Sequence, residues 1–189
     1  MQPRDFVLMA HGAFDGGING RTRLQKIVYF LSVLLKEDLG YKPHYYGPYS
    51  PIVAEANAEL KELGFINETS TVYGFNNQGF EMTQYSYYLT EDGKKLLERK
   101  KEKYSDKWKD ISKIAKKIES AGPMHYMELA MAAKTYLILQ RGDGQTNKET
   151  IKAKAKQLGW SIDDSHIDNA LRFLEEIGLS SWGFNHPSA

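Results

Sequence analysis

Cysteine is missing from all 189 residues, which excludes disulfides, thiolate metal sites and thiol nucleophiles. Long hydrophobic runs are missing too: the longest apolar stretch, Ile27 to Leu35, is too short to cross a bilayer and reads at helical period. No secretory leader pattern opens the chain, because the apolar run Phe6 to Ala10 is cut short by His11 and Gly12. A cytoplasmic protein without a membrane partner is the expectation. Signatures of catalysis are also absent, with no Gly-x-Ser-x-Gly elbow, no Walker loop and no dinucleotide fingerprint. His11, His44, His125, His166 and His186 lie far apart, with none at a three- or four-residue step from another. No catalytic residue, metal or cofactor is therefore expected, and the chain does not read as an enzyme.

What is present is an uneven distribution of charge. The net charge is only +1, yet residues 1–93 carry 7 Lys/Arg against 11 Asp/Glu, and residues 94–117 carry 11 against 4. Residues 118–189 carry 7 against 9. The positive excess thus sits on one segment, and no Lys or Arg occurs between Lys61 and Lys94.

Periodicity and punctuation divide the chain further. A first helix is predicted over Arg4 to Ala13, ended by a turn-rich run from Asp15 to Gly20. A second begins near Thr22, with Leu24, Ile27, Val28, Leu31, Leu34 and Leu35 on one apolar stripe and Gly40 as its stop. Ser50-Pro51 supplies an N-cap and first-turn proline for a third helix that ends at Gly64. Thr69 to Phe75 and Phe80 to Leu89 read as a β-hairpin around Asn76-Asn77-Gln78-Gly79. Thr90 then caps a long basic helix, with Ser105 as the cap of a fresh start. Beyond Ala121-Gly122-Pro123 follow helices from about Met124 to Gln140, after Asn147, and from near Ser165 to Ile177. The closing Ala170 to Leu179 echoes Ala56 to Phe65, which fits either a second helix-turn-helix-like module or two helices with the same C-cap.

The expected fold is mainly α with a small β-hairpin. A winged-helix-like unit spans residues 1–97, a basic connecting helix residues 98–120, and a helical unit residues 121–189. Gly20-Arg21-x-x-Leu24-Gln25-Lys26-x-x-Tyr29, the Tyr46-Gly47-Pro48-Tyr49-Ser50 turn and the Leu-Gly-Phe-Ile ending at Ile66 resemble the YwgA-like group of prokaryotic proteins. That group is similar in turn to the Panacea (SocA-like) domain. The resemblance covers roughly residues 4 to 97 and implies a compact helical or winged-helix unit. Its Panacea side implies antitoxin or adaptor roles exercised through protein contact.

Two functional readings remain open. In the first, a non-enzymatic regulatory protein binds a protein partner through a tyrosine-rich surface, with Tyr45, Tyr46, Tyr49 and Tyr87 as the contact residues, since tyrosine offers contact area at low entropy cost. Tyrosines packing the hairpin against the second helix are the alternative use of that aromatic mass. In the second, Lys94, Lys95, Arg99, Lys100, Lys101 and Lys103 meet a phosphate backbone, as in a DNA-binding regulator. Docking through the third helix and wing is disfavoured, because Glu55, Glu59, Glu62, Glu68 and Glu81 make that surface acidic. Trp108, Ile111, Ala115 and Ile118 repeat at heptad spacing and form a face to bury against another domain or in a homodimer.

Overall fold

The computed structural model describes residues 1–14, 17–75, 81–121, 126–142 and 147–179. In chain order these form α1 (Pro3–Gly12), β1 (Ile18–Asn19), α2 (Arg21–Leu34), α3 (Pro51–Glu62), β2 (Ile66–Phe75) and β3 (Glu81–Leu89). Then come α4 (Glu91–Lys103), α5 (Ser105–Ser120), α6 (Tyr126–Gln140), α7 (Lys148–Gln157) and α8 (Asp164–Ile177). The fold is mainly α with one small antiparallel sheet of order β1-β3-β2. β1 lies where the sequence reads as turn. Two residues carry no periodicity, and Ile18 and Asn19 become a strand only by pairing with Tyr87 and Ser86.

The hairpin begins earlier than expected, at Ile66 opposite Leu89, and its register shifts between Val72 and Gly74. Its turn residues 76–80 lie outside the described residues. The caps are more legible. The Ser50 hydroxyl accepts from Val53 N at 3.1 Å, Thr90 Oγ1 accepts from Gly93 N at 3.0 Å, and Asn147 Oδ1 accepts from Thr150 N at 2.9 Å. One start differs from expectation: Tyr104 rather than Ser105 occupies the junction of α4 and α5. Asp163, accepting from His166 N, caps α8, which begins at Asp164, one residue before Ser165.

The described residues share one hydrophobic cluster that runs from α1 to α8. α6 is buried on every side from Leu129 to Leu139, as a helix without a polar face must be, and packs on both α2 and α8. Phe30 of α2 meets Phe173 of α8 edge to face at 5.2 Å. α2 is accordingly buried all round from Leu24 to Ser32, and the single stripe expected for it is too narrow, because α6 covers its other side. The heptad face of α5 is spent inside the chain: Ile111, Ala115 and Ile118 are buried, and Trp108 packs partly buried against the same core. Of the two uses expected for this face, burial within the chain is the one observed.

Gly64 and Gly178 end α3 and α8 in the left-handed conformation, at φ 74° and 93°. Phe65 N donates to Leu60 O and Leu179 N to Leu174 O at 2.9 and 2.7 Å. The sequence echo thus includes one C-cap used twice. Among the described residues no helix is long and apolar enough to cross a membrane.

Candidate functional site

The two segments singled out by sequence, Leu24 to Tyr29 and Tyr46 to Ser50, form one hydrogen-bonded unit. Gln25 lies in the buried stretch of α2, where an unpaired amide costs free energy. Its Nε2 donates to Ser50 O at 3.0 Å and its Oε1 accepts from Ser50 N at 3.0 Å. One residue on, Lys26 Nζ donates to Pro48 O at 2.5 Å. The Ser50 hydroxyl donates to Leu39 O at 2.5 Å, and Tyr41 Oη donates to Gln25 O at 2.9 Å.

The turn itself is a tight loop. Lys42 and Tyr49 exchange backbone hydrogen bonds, and Gly47 N donates to His44 O at 2.9 Å. Gly47 sits at φ 91°, and a Cβ there would meet Lys134 Cγ at 3.1 Å and Lys26 Cε at 3.3 Å. Both the positive φ and the crowding call for glycine. Trp160 fixes the far side, its Nε1 donating to His44 O at 2.9 Å.

Beside this unit opens a cleft of about 340 Å³, within the range of small-ligand sites. The first turns of α2 supply Arg21, Thr22, Leu24, Gln25 and Lys26. One face of α3 supplies Ala54, Asn57, Ala58 and Lys61, at positions i, i+3, i+4 and i+7. His44, Tyr46 and Tyr49 come from the turn, and Glu68 and Tyr87 from the sheet.

Several of these groups are electrostatically unusual. Lys26 is only 2% exposed, and burial, reinforced by the nearby charge of Lys134, pushes its pKa down to about 7. Burial lowers that of Lys134 as well. Among the described residues neither lysine has a carboxylate partner; Lys134 Nζ instead stands 5.4 Å from the Trp160 ring centroid. His11 is buried behind Asn57, whose Oδ1 lies 2.8 Å from His11 Nε2. Burial outweighs that hydrogen bond and lowers the His11 pKa to about 4, so the ring is neutral and donates from Nε2. Burial and the Glu68 hydrogen bond push the Tyr87 hydroxyl up to about 12. Burial alone would raise Glu68, but hydrogen bonds from Tyr87 and Lys61 and the charge of Arg21 outweigh it and hold that carboxyl low.

The structure brings three of the four expected tyrosines, Tyr46, Tyr49 and Tyr87, to this one cleft. Tyr45 stands outside it at 70% exposure, its ring edge to face with that of Tyr46 at 4.8 Å. Tyr87 corrects the expectation of a surface contact residue: it is 1% exposed and its hydroxyl is engaged by Glu68, since α1 packs on β3 and sets the His11 ring 5.9 Å from that of Tyr87.

The basic candidates are not gathered into a free patch. Lys94 pairs with Glu91 at 2.7 Å, Lys95 with Asp92 at 3.0 Å and Lys101 with Glu98 at 2.7 Å. Lys100 reaches back 2.8 Å to Asp5, which is 3% exposed at the start of α1. Lys103 stands over the Tyr104 ring at 5.1 Å, and among the described residues Arg99 alone of the six has no such partner.

Sequence reasoning missed Arg21, Lys26, Asn57, Lys61 and His11 as neighbours. Two signals bear on them: polar Gln25-Lys26 inside an otherwise apolar helix, and the small residues Ala54 and Ala58 flanking Asn57 on one helical face.

No protein-family model matches the chain. It is similar to the uncharacterized protein YwgA of Bacillus subtilis (strain 168). The two are 28% identical over 164 residues, which cover 86% of this chain and 89% of that one. The similarity therefore extends well beyond residues 4 to 97 and takes in the basic segment and much of the C-terminal helices.

Proposed function

We propose that the chain is a non-enzymatic regulatory or adaptor protein whose N-terminal part is a winged-helix unit used for protein recognition. The order α1-β1-α2-α3-β2-β3 with sheet order β1-β3-β2 supports the winged-helix assignment. The observation that carries the recognition role is the Tyr45–Tyr46 pair. Both rings are exposed, at 70% and 47%, on a loop held rigidly by Gln25, Lys26 and Trp160. Aromatic side chains presented on a pre-organised loop lose little entropy on binding, which is the property of an interface anchor. Occlusion of a partner's surface, as an antitoxin acts, is one form such recognition takes.

Nucleic acid is the less supported partner. α3 exposes Glu55, Glu59 and Glu62 where a reading helix needs donors and positive charge. Ion pairs within the chain already engage Lys94, Lys95, Lys100 and Lys101. Phosphate contact would have to compete with those carboxylates.

The test is purification of the tagged full chain from its native cell, with nuclease treatment and parallel low- and high-salt washes. A defined protein should survive both treatments and be lost from the Tyr45→Ala, Tyr46→Ala double variant. Co-purifying nucleic acid that leaves with salt, or a partner indifferent to the double substitution, would refute the reading.

A further inference from the structure

The cleft holds more positive charge than its own carboxylate balances. Arg21, Lys26 and Lys61 line it against a single acidic residue, Glu68. Glu68 is taken up by Lys61 at 3.1 Å and Arg21 at 3.6 Å. Lys26 is left with a neutral carbonyl, Pro48 O, as its partner. A second lysine, Lys134, flanks the same glycine turn and meets an aromatic face instead of an anion. A buried cation without a counter-charge is costly, and binding an anion removes that cost.

The remaining polar groups point the same way. Asn57 gives its Oδ1 to His11, so the part of its amide left to the cleft is the Nδ2 donor. The site is consequently rich in donors and short of acceptors. Its shape adds a second requirement: Ala54 and Ala58 make the room on α3, while Tyr46 and Tyr49 supply aromatic surface. Flat ligand groups stack on such surface.

We propose that this cleft binds a small organic anion, with its carboxylate or phosphate group held by Lys26 and Asn57 and a flat apolar body against Tyr46 and Tyr49. The site goes beyond partner recognition and stands whether or not Tyr45 and Tyr46 contact a protein.

The experiment is isothermal titration and thermal denaturation of the full chain at pH 7 with phenyl phosphate, benzoate and inorganic phosphate, using sodium chloride at matched ionic strength as control. At least one aromatic anion should saturate and raise the unfolding midpoint by several degrees, while chloride does neither. Lys26→Met should weaken binding by roughly tenfold or more, as expected for loss of one charge-assisted hydrogen bond. Ala58→Phe, which fills the cleft and leaves Lys26 in place, should abolish binding while the far-UV circular dichroism is unchanged. The exposed Lys95→Glu variant should bind like the parent. A preference for phenyl phosphate or for benzoate then identifies the head group. Absence of saturable binding by both aromatic anions, or binding that survives Lys26→Met and Ala58→Phe unaltered, overturns the proposal. Inorganic phosphate binding as tightly as phenyl phosphate overturns the role given to Tyr46 and Tyr49.

Discussion

Gln25 and Ser50 exchange two hydrogen bonds, amide nitrogen to carbonyl and backbone nitrogen to amide oxygen, both at 3.0 Å. The side chain thereby mimics a strand partner for one residue of the loop and sets where α3 begins. Lys26 and Trp160 then hold the rest of the aromatic turn through Pro48 O and His44 O.

Gln25→Ala should therefore be costly, because it strands the buried Ser50 N–H, while Ser50 O keeps only its helical bond from Ala54 N at 3.2 Å. One unsatisfied backbone group amounts to roughly 1 to 3 kcal/mol of lost stability. Gln25→Glu should also destabilise, since a carboxylate can accept from Ser50 N but cannot donate to Ser50 O. Urea denaturation read by tryptophan fluorescence checks both, and an unchanged midpoint for Gln25→Ala would show that the clamp carries no stability.

Stability should rise from neutral to alkaline pH, which is unusual. The unfolded chain holds the Lys26 proton up to pH 10.5, whereas the folded chain releases it near pH 7. The cost of the buried charge is fully present below pH 7 and fades as pH climbs through that window, by about 1.4 kcal/mol per pH unit. Lys134, lowered by burial, adds in the same direction. Tyr29 and Tyr41, whose hydroxyls burial pushes above their ordinary range of about 10, reverse the trend only in stronger alkali. Denaturation midpoints at pH 7 and 9 should differ clearly in the parent and much less in Lys26→Met.

Acid should act through His11. The unfolded chain takes up that proton at its ordinary value of 6.5, the folded chain only near 4, so stability falls as pH drops through this interval. The full effect is roughly 3 kcal/mol. Comparing the parent with His11→Gln at pH 7 and pH 4.5 isolates it from the carboxylates, and equal losses in both proteins would exclude His11 as the cause.

Two lysines on α4 should respond very differently to charge reversal. Lys100→Glu sets a carboxylate against the buried Asp5 and should cost about 3 kcal/mol or more. Lys95→Glu faces Asp92 on an exposed surface and should change stability by less than about 1 kcal/mol. Thermal denaturation of the two variants decides this. A nucleic-acid test by charge reversal accordingly belongs at Lys95, Arg99 and Lys103, where folding is not disturbed.

Much of the fold was legible from local signals. Ser50-Pro51, Thr90 and Asn147 mark helix starts through side-chain chemistry within three residues, and Gly64 and Gly178 mark ends through their left-handed conformation. β1 was not legible, because two residues have no pattern until Tyr87 and Ser86 lie beside them. Nor was the fate of the α5 heptad face. Spacing shows that Ile111, Ala115 and Ile118 must be buried, but a second chain and the core of the same chain satisfy that demand equally.

The candidate site divides along the same line. Composition and motif spacing by themselves determined the helical class, the caps at Ser50, Thr90 and Asn147, the concentration of tyrosine around the turn and the acidic character of α3, since each depends on residues near one another in sequence. Only the tertiary structure decided that Gln25 and Lys26 are the clamp of that turn, that Tyr87 is buried, and that Lys100 answers Asp5 across 95 residues of chain. Burial and charge compensation depend on what every other element brings to the same few ångströms, and a one-dimensional pattern does not contain that distance.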